Sequence, residues 1–385
     1  MPSFTNDSPN LPVIAILADM PLGRIMPDEF QNQDHSLTPW IFALFQALSK
    51  QTQYSIHWIT LKKYVSSHTV KTLGNQTIHI LPDPSLAIGL FTNHLFASKK
   101  IRRLLDKLKP DLIHVWGIEL AYASACKKLP IQKILSYQGS LIAYCQRSKM
   151  KWFPKMQAFW EKRTTPHYHH ITCESPWARD RVLEISPSSQ ISLIEYGVEE
   201  SFFHVERNPS PTPNCVFAGT ICELKGVSYL IRAFTNPVLQ HVQLYLAGSG
   251  ALRKKLEPIC TPNIHWLGSL QRPELQQYLA SAWCLIHPTL ADTGPTIVKE
   301  ARCIGLPIIT TTEAGSKQYV EDGKSGYIIP SKNSNAIIQT VLALTDSLNS
   351  NIQMGTHKLH EVRNALQIEL TCDKLLLMYK LLLAE

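Results

Sequence analysis

What the 385-residue sequence lacks narrows it first. No apolar run is long enough to cross a bilayer. The opening MPSFTNDSPNLPVIAILADM has no basic segment ahead of its apolar stretch, which Asp19 and Pro21 break within a few residues. Neither a signal peptide nor a membrane span is expected. No C-x-x-C pair occurs among the nine cysteines, which are odd in number and widely scattered. That is the usage of a reduced, cytoplasmic protein rather than a disulfide scaffold. The fifteen histidines, His167, His169 and His170 among them, have no companion Cys or carboxylate at metal-ligand spacing, so no metal and no cofactor is expected. Internal repeats are missing too. Charge is mildly basic at +8, and the excess lies early: residues 1–200 hold 22 Lys+Arg against 16 Asp+Glu, and the remainder 16 against 14.

What is present is an alternation of short apolar runs with helical stretches, the pattern of parallel sheets covered by helices. VIAILAD, YSIHWITL, TIHIL, DLIHVWG, KILSYQG, HITC and ISLIEYG read as strands of a first half. NCVFAGT, VQLYLAG, IHWLG, WCLIHP, PIITT and GYIIP read as strands of a second, with helices such as VSYLIRAF and PELQQYLASA between them. HVERNPSPTPN, dense in Pro and Asn, marks the junction. The expected organisation is α/β with two Rossmann-like domains, 1–207 and 214–365, joined by a linker at 208–213. Residues 366–385 form an amphipathic helix whose apolar face needs a cover.

In open parallel sheets ligands bind beyond the carboxyl ends of the strands, where helix N-termini favour phosphate. The strongest such turn is WCLIHPTLADTGPTIVKEARCIGLPII: a strand ends at Pro288, a polar loop runs to Pro295, and a helix begins near Thr296. The opening amides at Thr296 and Ile297 then sit between two carboxylates, Asp292 and Glu300. Amides can cradle a diphosphate while carboxylates accept from sugar and ribose hydroxyls. A capped helix with an ordinary exposed Glu300 is the plain alternative. FAGTICELKGVSYLIRAF supplies a second turn, with Gly219, Thr220 and Lys225 placed to meet phosphate oxygens, although a lysine near a helix start is often only a solvated charge. LAGSG adds Gly248, the loop from Trp266 to Arg272, with Leu267 and Gly268, can hold a base, and TEAGSKQYVEDGKSGYIIP adds Gly315, Gly323 and Gly326.

In this order these motifs, from residue 213 to 331, resemble glycosyltransferase family 4, enzymes of the GT-B fold: GT-x4-KG, LAGSG, LGSL, an acidic-x7-Glu segment that runs from Asp292 to Glu300, EARCIGLPII and DGKSGYIIP. The first half is similar through DLIHVWGIEL, ILSYQGSL and HITCESPWARDRVLEISPSSQISLIEYGVEESFF. The resemblance implies two Rossmann-like domains facing across a cleft that closes on its substrates, with the last helix crossing back to the first domain. It implies a retaining hexosyltransferase (EC 2.4) that moves sugar from a nucleotide-sugar donor to a glycan, lipid-linked or small-molecule acceptor. Glu300 would bond the ribose, Asp292 the donor sugar, and Thr296, Ile297 and Lys225 the diphosphate. Asp292, Lys225 and Glu300 would be the catalytic set, and no dedicated base is needed, because the leaving diphosphate assists deprotonation of the acceptor. The acceptor side falls to His114, Trp116 and Gln138, with His114 equally readable as a core histidine. The wording IHVWG, SYQGS and DTGPT is similar to members that build surface polysaccharides.

Three departures stand out. Thr220 occupies a position where many members carry Arg, leaving Lys225 without its cationic companion; Arg272 and Lys317 are the candidates for the missing charge. Asp292 replaces the usual Glu. Gly294-Pro295 replaces an aromatic-Gly pair. A catalytically weak sugar-nucleotide-binding partner is therefore one alternative, and a sugar-nucleotide epimerase on the same fold another. The basic excess gathers in ASKKIRRLLDKLK and CQRSKMKWFPKMQAFWEKR, where Trp152, Phe153 and Trp160 are interleaved with cations. That suits peripheral contact with an anionic membrane face, or two solvated helix faces; nucleic acid is not expected.

Overall fold

The computed structural model describes residues 11–34, 38–83, 89 and 94–384; the reading of the first ten residues lies outside them. The apolar runs form two sheets. The first contains β1 (Val13–Leu17), β2 (Ser55–Lys62), β3 (Thr69–Leu73), β4 (Gln76–Pro82), β5 (Leu112–Trp116), β6 (Gln132–Tyr137), β7 (His170–Cys173) and β8 (Gln190–Leu193), in the order β3-β4-β2-β1-β5-β6-β7-β8. Every neighbouring pair is parallel except the edge pair β3–β4. The second contains β9 (Asn214–Ala218), β10 (Gln243–Ala247), β11 (Ile264–Gly268), β12 (Cys284–His287), β13 (Ile308–Thr311) and β14 (Gly326–Ile329), all parallel, in the order β11-β10-β9-β12-β13-β14. That is the doubly wound Rossmann order.

Parallel strands are covered on both faces, which is why these strands read as continuous apolar runs. Ile14 and Ile16 of β1 face one cluster and Ala15 and Leu17 the other; Cys215 and Phe217 of β9 and Val216 do the same in the second sheet. The junction 208–213 has no regular element, yet it is held down: Asn208 and Ser210 donate backbone N–H groups to Ala280 and Ser281, and Trp283 Nε1 donates to the Ser210 carbonyl at 2.8 Å.

The chain returns at its end. The helix Ile368–Ala384 buries Ile368, Cys372, Leu375, Tyr379 and Leu382 in the cluster that also holds Ile14, Leu44 and Trp58 of the first domain. Among the described residues no helix is long and apolar enough to cross a membrane.

Candidate active site

Strand order reverses between β9 and β12 in the second sheet and between β1 and β5 in the first, so the loops leaving those strands frame the crevices where ligands lodge. The loop after β12 is laced to the turn after β9: the Thr289 hydroxyl and the Leu290 N–H both donate to the Leu224 carbonyl, at 3.0 and 2.7 Å. This brings Lys225 onto Asp292, where its ammonium donates to Oδ2, while His287 Nε2 lies 3.5 Å from the same oxygen. Burial alone would raise the Asp292 pKa. The Lys225 ammonium and then His287 outweigh it, and the carboxyl is held far below its ordinary range. His287 is fully buried, and that burial lowers its own pKa despite the carboxylate.

Beyond Pro295 the helix Thr296–Ile304 begins with no side chain capping it, so its first amides, at Thr296 and Ile297, are not taken up by a capping side chain. Glu300 lies four residues on, roughly 6 Å along the axis. It is 2 % exposed and accepts from Arg272 at 2.6 Å. Arg272 also reaches Glu199 at 3.1 Å, and Glu199 takes a two-pronged bond from Arg24 at 2.9 and 2.8 Å. Burial pulls the Arg272 pKa down, but Glu300 and Glu199 more than offset it.

The glycines bring the remaining turns together. Gly248 has φ of +135°, and a Cβ there would stand 1.9 Å from the Gly219 carbonyl oxygen, so the turns after β9 and β10 touch only because this residue has no side chain. The Gly248 N–H bonds the Gly268 carbonyl at 2.6 Å, which draws in the Leu267–Gly268 end of β11. Gly219, exposed Thr220, Lys225, Gly248, Leu267, Gly268, Asp292, Thr296, Ile297 and Glu300 thus share one rim. Arg272, named as a candidate for the missing cation, is committed to Glu300 and Glu199 instead. Lys317 lies after β13 in the short helix Gly315–Tyr319.

The first domain presents the facing rim. His114 is wholly buried, with Nδ1 on the Tyr379 hydroxyl at 2.6 Å and Nε2 on Ser136 at 2.8 Å; burial pushes it down to about 3. Both nitrogens are committed, which makes it a core histidine in this arrangement. Trp116, at the end of β5, packs between His114 and Tyr196 with ring centroids 5.0 and 4.9 Å apart. Gln138, after β6, meets the loop that follows β12 directly, its carbonyl accepting from the Thr293 hydroxyl at 2.6 Å. The cleft is therefore already bridged.

One ion pair and one carboxylate have no reading in the sequence. Lys299 and Glu174 form a buried ion pair across the cleft at 2.6 Å, and Glu199 anchors the arginines. The only available signal was placement: Glu174 directly follows β7 and so had to lie on the rim.

Two facing Rossmann-like domains with a helix returning from the second to the first are the architecture of GT-B transferases. The structure superposes on sucrose-phosphate synthase of Thermosynechococcus elongatus with a TM-score of 0.81 at 16% identity, covering 97% of this chain and 99% of that one. Against Anabaena HepE in complex with UDP-glucose the TM-score is 0.68 at 11% identity, with 96% and 99% covered. In sequence, an uncharacterized glycosyltransferase of Methanocaldococcus jannaschii is 24% identical over 303 residues, 72% of this chain and 82% of that protein. Glycosyltransferase Family 4 matches residues 40–202, and Glycosyl transferases group 1 matches residues 212–347. The chain belongs to the family 4-type glycosyltransferases, and its activity is that of EC 2.4.

Proposed function

We propose that the chain transfers a hexose from a nucleoside diphosphate sugar to a hydroxyl of a glycan, lipid-linked or small-molecule acceptor, with retention of configuration. The observation that carries this reading is the Lys225–Asp292 pair beside the uncapped helix N-terminus at the β9/β12 reversal. A diphosphate seated on the Thr296 and Ile297 amides draws Lys225 off Asp292. The freed carboxylate accepts from the donor sugar, and Glu300 takes the ribose hydroxyls. The bond from the anomeric carbon to the phosphate oxygen breaks as the acceptor oxygen bonds the same face. The acceptor proton passes to the leaving phosphate. Lys225 and the helix amides stabilise the charge that develops there. The likeness to a fold solved with UDP-glucose supports a nucleotide donor. Trp116 and Gln138 border the acceptor position, with His114 behind them.

The test is incubation with UDP-, GDP- and ADP-sugars, reading thermal stabilisation and nucleotide release. Lys225→Ala and Glu300→Ala are each expected to lower release about 10- to 100-fold. Unchanged stabilisation and release in both variants would remove the donor site from this rim. A catalytically weak binding partner would be stabilised without releasing nucleotide to any acceptor.

A second reading concerns the helix Trp152–Thr164, which leaves Trp152 and Phe159 54% and 45% exposed among Lys155, Lys162 and Arg163. We infer peripheral contact with an anionic membrane surface at the cytoplasmic face, each basic residue contributing on the order of 1 kcal/mol. Co-sedimentation with phosphatidylserine vesicles but not with neutral ones is the expected result; equal pelleting with both would exclude it.

A further inference from the structure

Lys299 precedes Glu300 on the donor helix, yet its ammonium does not enter the donor rim. It crosses the cleft. Nζ donates to Glu174 Oε1 at 2.6 Å and to the Tyr196 carbonyl at 2.7 Å, and it lies 5.6 Å from the centroid of the Tyr196 ring. Lys299 and Glu174 are 0 % and 4 % exposed. From Tyr196 the contacts run on through Trp116 and His114 to Tyr379 on the returning helix. One lysine thus ties the helix that carries Glu300 to the aromatic stack behind the acceptor position.

The surroundings are cut to fit this contact. A Cβ on Gly294 would stand 2.0 Å from Glu174 Oε2, so the donor loop can lie against the pair only without a side chain there. The next residue on each side extends the seam: Ser175 donates its hydroxyl to the Thr293 carbonyl, and Thr293 donates its own to the Gln138 carbonyl. Two charges withdrawn from water on closure gain little net energy, because desolvation offsets their attraction. What such a pair supplies is a single permitted geometry.

We propose that Lys299 is a positioning residue for transfer, its bonds to Glu174 and Tyr196 setting the distance and angle at which the donor helix meets the acceptor half of the cleft. The inference rests on the reading of Thr296–Ile304 as the donor helix. It explains why Lys and Gly occupy positions 299 and 294 together: the lysine needs the glutamate, and the glutamate needs the space. It also separates two tasks within one helix turn, with Glu300 serving the nucleotide and Lys299 the alignment of the halves.

The test is the double variant Lys299→Met with Glu174→Met, which removes both charges at similar volume and leaves neither stranded, so that folding is retained. The probe is whichever of UDP, GDP and ADP stabilises the wild type most, with the matching nucleotide glucose as substrate. The expected outcome is a nucleotide Kd within about threefold of wild type, KM likewise, and kcat for nucleotide release lower by about tenfold or more. Small-angle scattering of the nucleotide-bound variant is expected to show a larger radius of gyration than wild type. An unchanged kcat and radius would overturn the proposal, and so would a Kd weakened more than about tenfold, which would make Lys299 a donor ligand. Failure of the donor-site reading itself registers elsewhere, in Lys225→Ala and Glu300→Ala variants that bind nucleotide as wild type does.

Discussion

Thr220 stands exposed at the mouth of the turn after β9, three positions before the short helix Glu223–Lys225. Its exposure leaves room for a long side chain. Thr220→Arg is accordingly expected to tighten nucleoside diphosphate binding by about three- to tenfold, the worth of one partly screened charge-assisted bond. Isothermal titration with the diphosphate that stabilises the protein best checks this; weaker binding would mean that the position does not face the phosphates. A second residue carries a pH signature. Glu161 is buried, accepts from the Tyr137 hydroxyl and from the Ile142 N–H at 3.0 Å, and is pushed up to about 8, chiefly by burial and against those hydrogen bonds. A carboxyl raised from an ordinary 4.5 is more protonated folded than unfolded between those values, so its contribution to stability is fully present below about 4.5 and is lost as pH rises toward 8, by at most ~1.4 kcal/mol per pH unit. Melting temperature measured from pH 5 to 8 is expected to decline in the wild type and to lose that part of its slope in Glu161→Gln. Identical slopes would show that Glu161 is ionised throughout.

At the scale of the element, the loop from Thr289 to Pro295 is held at several points. Its first residues are bonded to Leu224, Asp292 bridges to Ala314, Thr293 bonds the first domain, and Gly294 fills the space beside Glu174. Gly294→Ala puts a methyl where the Glu174 carboxylate lies, a cost on the order of 1–3 kcal/mol if the seam stays shut. The expected outcome is a melting temperature lower by several degrees together with reduced nucleotide release; wild-type behaviour would mean that the seam yields at no cost. Much of this element was legible. A strand ending at Pro288 and a helix from Thr296 follow from apolar run, proline placement and periodicity, and the structure has Cys284–His287 and Thr296–Ile304. The burial of Lys299, Glu300 and Arg302 was not. Three charges in one helix carry no signal of burial in the sequence, and each is buried because a partner arrives from elsewhere in the chain: Glu174, Arg272, and the Gly355 and His357 carbonyls. β3 escaped for the opposite reason, since TVKTL at a sheet edge keeps a half-exposed face and presents no apolar run. In the sequence Arg272 is, with Lys317, a candidate for the missing cation, because no sequence pattern connects it to Glu199, 73 positions away.

At the scale of the whole molecule, the two halves meet through the cleft contacts, and the last helix returns from the second half to complete the core of the first. Ile368–Ala384 begins where Gln367 pairs with Val198, takes the Gly197 N–H on Thr371 at 2.9 Å, and ends with Tyr379 on His114 and Leu382 in the cluster around Trp58. His114 thus has its place in the molecule: it links the strand that carries Trp116 to the returning helix. Burying Ile368, Leu375, Tyr379 and Leu382 contributes ~1.5–3 kcal/mol apiece, so on the order of 10 kcal/mol depends on this helix. That is comparable with the whole net stability of a domain, roughly 5–15 kcal/mol. A chain ending at Leu366 is therefore expected to lose the cooperative unfolding of its first domain, seen as loss of near-ultraviolet circular dichroism and of one calorimetric transition. The second domain buries no part of this helix in its own clusters, so its stabilisation by nucleoside diphosphate should survive. A truncated chain that melts as the full one does would show that the helix is a passenger. Loss of both domains together would show instead that the cleft contacts, Lys299 on Glu174 among them, carry enough coupling to make the halves fold as one.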